Sequence, residues 1–233
     1  MLLAFFTPET SVFLILILDS NCPQDTKVNL DPGWPSMSTK TPFNFSHAMY
    51  HLCHDISRRL PEFQHVDMDR IAVAFAQARR NVPYGMQAKL TPLRFDNGDL
   101  QTTRYGRKWT VQRIYQDQQE MLYILTFYLP RFLNHSLEEK LITVIHELYH
   151  ISPAFDGDIR RLEGHYHVHS HSQKEYDAHM AVLVKQYLKM NPPSALYSFL
   201  KCRFSTLQKK HGGVVGLQIP IPKLIPVDES RSA

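Results

Sequence analysis

With 233 residues, 43% of them hydrophobic, the chain is long enough for one compact domain with tails and short for two. Only 9 glycines exclude a collagen-like or low-complexity protein, and a formal charge of +4 permits an acidic partner such as nucleic acid without demanding one. Cys22, Cys53 and Cys202 are scattered and form no CxxC pair, which argues against a disulfide framework or a zinc ribbon and fits a reducing, cytoplasmic compartment.

Residues 1–20 are apolar, yet no Lys or Arg precedes Lys27, and Pro8, Glu9 and Thr10 interrupt the run. The stretch from Val12 to Leu18 is too short to span a bilayer. Residues 1–43 therefore read as a weakly structured extension ending in a Pro/Ser/Thr-rich linker, with Met37 an alternative initiator and an unusual export or anchor signal left open.

Folded structure is expected from about Phe45, with Ser46 capping a helix that runs to about Leu60 and stops at Pro61. His47, His51 and His54 share one face of it and read as a polar or packing face. Ile71, Ala74, Phe75 and Ala78 stand at helical spacing and predict a second helix over 67–80. A β-rich stretch follows: a strand over 87–95, a turn at Asn97-Gly98, and strands over 109–115 and 121–128 joined through Asp117, Gln118 and Gln119. Its cations Lys89, Arg94, Arg104, Arg107, Lys108 and Arg113 read as a solvated sheet face.

Ser136-Leu137-Glu138-Glu139 is a capping box, and the helix it opens runs through His150 and ends before Pro153. A loop carrying Asp156, Gly157 and Asp158 comes next, then an alternating His stretch over 165–171. A last long helix follows, from about Ser172 to Met190, stopped by Pro192 and Pro193. A short helix over 195–204 and an extended tail from Lys209 complete the chain. The domain boundaries expected are 44–205 for the folded unit and 206–233 for the tail.

Histidine is the outlier. Eight of the 13 fall between His135 and His179. His146 and His150, four apart, lie on one helix face and can reach one metal ion. Glu147 lies about 100° round from His146, near enough to touch a water on that metal and badly placed to be a ligand. That pattern predicts a zinc hydrolase in which Glu147 moves the proton of the attacking water. A catalytic zinc takes three protein ligands. For the third, His165 leads, with His167, His169 and Asp156, or Asp158, as alternatives. Asp177 and His179 on the last helix are candidates to orient a ligand imidazole. Glu163 reads as solvated or as an outer neighbour of the metal, Tyr166 as a donor to a developing oxyanion, and Tyr149 as a packing residue. The strand over 122–127, were it a sheet edge, would pair with an extended substrate.

The string His146-Glu147-Leu148-Tyr149-His150-Ile151, the Phe155-Asp156-Gly157-Asp158 loop and the His-rich stretch resemble the phage-type metallopeptidases. The order of strand, motif helix and Gly164-His165 is also similar to the SprT-like (Spartan-type) zinc proteases, although no downstream zinc finger or DNA-binding tail follows. The resemblance implies a zincin-like minimal metalloprotease of α+β class. Two N-terminal helices would pack on a small, mainly antiparallel sheet beside the motif helix, with a polypeptide substrate and Zn2+ as cofactor. The rival readings are a structural zinc in a binding module, closed by a fourth ligand, and a metal-dependent hydrolase of a non-peptide amide.

Overall fold

A computed structural model describes residues 40–79, 82, 84–161 and 173–227. The predicted His165, His167, His169, Tyr166 and Glu163 lie outside the described residues, as does the side chain of Asp177.

A two-residue strand β1 (Phe43–Asn44) leads into helix α1 (Phe45–Arg59). The cap is Asn44, not Ser46: the Asn44 side chain accepts the His47 N–H at 3.0 Å. Ser46 lies inside the first turn, where its hydroxyl accepts the Leu217 N–H at 2.9 Å. Phe45, Met49, Leu52, Cys53 and Ile56 form one stripe of helical spacing, all fully buried. The helix ends before Pro61, which cannot donate the next hydrogen bond.

The helix predicted over 67–80 is absent. A 3-10 turn, Met68–Arg70, is followed by strand β2 (Ile71–Gln77). Ile71, Val73 and Phe75 point to one side of the sheet and Ala72 and Ala74 to the other. Both faces are covered, so the run is apolar throughout and fits a helical template by coincidence.

Strands β3 (Ala88–Pro92), β4 (Gln101–Arg104), β5 (Arg107–Val111), β6 (Tyr115–Gln116), β7 (Gln119–Glu120) and β8 (Tyr123–Leu129) come next. The Asn97-Gly98 turn is present, with φ of 58° and 79°. Asp117 and Gln118, at φ of 48° and 67°, form the two-residue turn between β6 and β7. That hairpin is only two residues deep, and the flanking strands do not pair across it. β5 joins β4, whereas β8 joins β2 and β3.

Helix α2 (Leu137–Tyr149) opens on the expected capping box, with the Ser136 hydroxyl accepting the Glu139 N–H and Glu139 Oε2 accepting the Ser136 N–H at 2.8 Å. Helix α3 (Gln173–Lys189) stops ahead of Pro192. In place of one short helix over 195–204 there are two 3-10 turns, Ser194–Leu196 and Ser198–Lys201, and then helix α4 (Phe204–His211). Helix α4 thus takes in the first residues of the tail expected to be extended from Lys209, and the tail beyond it is tied down: β9 (Val214–Val215) runs parallel to β1 and β10 (Leu224–Pro226) pairs antiparallel with β5.

The central sheet has the order β2-β8-β3, with β2 parallel and β3 antiparallel to β8. It is mixed rather than mainly antiparallel, and one N-terminal helix packs on it rather than two. One face and the helices form the main core around Phe45, Tyr123, Phe127, Phe132 and Leu141. The architecture is α+β. No helix among the described residues is long and apolar enough to cross a membrane.

Candidate active site

The motif helix is held from one side. Leu141, Val144, Ile145 and Leu148 of α2 are fully buried in the main core, which turns His146 and His150 away from it. Their Nε2 atoms lie 3.0 Å apart, with ring planes at 78°. Two nitrogens at about 2.0–2.1 Å from one tetrahedral zinc would be roughly 3.3 Å apart. The pair therefore fits a shared ion with a change of a few tenths of an ångström.

Glu147 is drawn inward, 9% exposed, and its Oε2 accepts the Leu90 N–H at 2.7 Å. Leu90 lies on the edge strand β3, so sheet and motif helix meet at this hydrogen bond. Burial pushes the Glu147 carboxyl up to about 7, and the Leu90 N–H and the charge of Lys89 pull against it. A carboxylate poised near neutrality can both take and return a proton.

The C-terminal end of α2 is clasped by Arg160. Its N–H donates to the His150 carbonyl at 2.7 Å, its Nε donates to the Tyr149 carbonyl at 2.8 Å, and its guanidinium lies 4.2 Å from the centre of the Tyr149 ring. A cation there satisfies the last carbonyls of the helix and suits its dipole. Tyr149 packs as expected, edge-on to Phe63 and to His179. His179 meets this ring at 5.6 Å between centroids.

The loop after the motif is a knot of its own polar groups. The Tyr123 hydroxyl donates to the Asp158 carbonyl and accepts the Gly157 N–H, both at 2.9 Å. Asp158 accepts the Asn97 and Ile159 N–H groups at 3.0 and 2.8 Å and pairs with Arg161. Asp156 Oδ1 folds back onto the Asp158 N–H at 3.1 Å. Among the described residues no third His, Cys, Asp or Glu joins His146 and His150 in a metal-holding group, Asp156 included.

Gly157 adopts φ +91°, and a Cβ there would come within 2.5 Å of Arg94 Cγ. Gly157→Ala is expected to cost about 1–3 kcal/mol through backbone strain and overpacking. Urea unfolding of the purified variant checks this, and unchanged stability would refute the crowding.

Sequence reasoning placed His146, Glu147 and His150 together. It missed the Leu90 amide, for which no local signal exists, and Arg160, whose signal was a cation shortly beyond a helix C-terminus. The sequence model of a family described as putative phage metallopeptidase matches residues 43–186, more than half of the chain. Neither the curated proteins nor the solved structures contain a match to it.

Proposed function

The chain belongs to this phage metallopeptidase family, and on that premise we propose that it hydrolyses peptide bonds at a zinc ion held by His146, His150 and His165, with Glu147 as general base. The observation that carries the reading is the 3.0 Å approach of the two Nε2 atoms beside a buried carboxylate. The length of the tether after the motif helix permits His165 as third ligand. Arg160 is bonded to the His150 carbonyl, and five further residues reach at most about 17 Å. His165 is thus within range of the pair, as are His167 and His169 on a slightly longer tether.

Zinc held there supplies an activated water and polarises the scissile carbonyl. The protein's part is proton transfer and placement. With Oε2 held by the Leu90 N–H, Glu147 takes the proton on Oε1 and delivers it to the leaving amine. The substrate strand does not pair with β8, which is internal. The outer edge of β2 is bonded to Leu217. β3 lies at the other edge, beside Glu147, but its Leu90 N–H is already taken by Glu147 Oε2 and Pro92 has none, so an extended polypeptide would meet this edge chiefly through its carbonyl oxygens.

The test is metal content together with hydrolysis of an unfolded protein, for the wild type and for single Ala variants. His146→Ala, His150→Ala and His165→Ala are expected to lose metal and turnover together, whereas His167→Ala, His169→Ala and Asp156→Ala keep both. Loss in one of the latter three, with His165→Ala unaffected, would move the third ligand. Full metal loading without hydrolysis of any polypeptide would make the ion structural.

A further inference from the structure

Helix α1 carries a second histidine pair with the geometry of the first. His47 Nε2 lies 3.0 Å from His51 Nε2, with ring planes at 76°, against 3.0 Å and 78° for His146 and His150. Both rings are exposed, on the face opposite the stripe that packs into the core. They stand on a different helix from the motif and take no part in the chemistry above.

The backbone beneath them is fixed. Asn44 caps the helix on the His47 N–H itself, and the five core residues of α1 hold it against the sheet. His51 is further braced by Tyr50, whose ring meets it edge-on at 5.3 Å and whose hydroxyl donates to Asp69. Two neutral imidazoles in water gain little from hydrogen bonding to each other, because each exchanges a bond to solvent for one to its neighbour. A cation between them would use a lone pair from each ring at once.

We propose that His47 and His51 form a second metal site, a two-histidine clip for a late first-row divalent ion such as zinc, nickel or copper. Imidazole nitrogen selects these ions over magnesium and calcium, which require oxygen ligands. Among the described residues no third His, Cys, Asp or Glu joins the pair, so water completes the coordination and the ion exchanges readily. The unfolded chain does not hold the two rings one helical turn apart. Binding therefore favours the folded state and stabilises α1.

The probe is paramagnetic Ni2+, added to the full-length protein already loaded with zinc, with backbone amide resonances as the readout. Signals over residues 45–52 are expected to broaden saturably, and Ni2+ is expected to raise the melting temperature. His51→Ala should weaken the broadening at α1 by about tenfold or more, and the double variant His47→Ala/His51→Ala should abolish it together with its share of the thermal shift. Both rings are exposed, so these variants should fold, and their amide spectra without nickel verify this. Absence of broadening at α1, or its persistence in the double variant, would reduce the pair to two hydrogen-bonded surface histidines and overturn the proposal.

Discussion

Glu147→Gln is expected to keep its fold and its metal and to lose peptidase turnover by about 10²–10⁴-fold, the range for removal of a positioned general base. The fold survives because the glutamine amide oxygen can still accept the Leu90 N–H that Glu147 Oε2 accepts at 2.7 Å. The metal survives because both imidazoles are untouched. Only the proton acceptor is gone. Glu147→Ala separates structure from chemistry: it strands a buried amide and should cost about 1–3 kcal/mol of stability on top of the lost turnover. Initial rates on an unfolded protein, metal content and urea unfolding, measured on both variants, decide the matter. Wild-type turnover in Glu147→Gln would end the general-base assignment, and loss of metal from it would make Glu147 a ligand.

The parts legible in the sequence are those decided within a few residues. The Ser136–Glu139 box, the apolar face of α2 and the facing of His146 and His150 all follow from i, i+3 and i, i+4 relations. The turn at Asp117 and Gln118 is equally local. What escaped depends on distant partners. β2 satisfies a helical and a strand template alike, and the choice is made by pairing of Ile71 with Tyr123 through to Gln77 with Leu129. The position of β8 inside the sheet, rather than at its edge, is likewise a property of three separated segments. So is the bond from Leu90 to Glu147, which spans 57 residues. Local pattern thus put His146, Glu147 and His150 on one helix, while the burial and hydrogen bond around Glu147 belong to the tertiary structure.

The same division holds for Lys140, a cation on the motif helix that sequence reading would leave in solvent. It is 1% exposed, and its Nζ donates to the carbonyls of Leu200 and Cys202 at 2.7 and 3.0 Å. It thereby ties α2 to a segment beyond the last residue of the family match. Lys140→Ala leaves a cavity and two carbonyls without this donor, and should cost about 2–4 kcal/mol at neutral pH. Lys140→Met keeps most of the volume and isolates the charge. Burial lowers the ammonium from 10.5 to about 8, so between those values the unfolded chain binds a proton that the folded chain does not. Stability contributed by Lys140 is therefore fully present above about 10.5, falls as pH drops towards about 8, and is constant below it. The stability of the wild type relative to Lys140→Met should rise from about pH 7.5 to about pH 10 by up to roughly 3 kcal/mol, because each tenfold loss of proton affinity on folding is worth about 1.4 kcal/mol. Urea unfolding of both proteins at the two pH values measures the difference directly, with all other titrations cancelling. A gap independent of pH would mean that Lys140 stays charged in the folded protein, with the two carbonyls offsetting the cost of its burial.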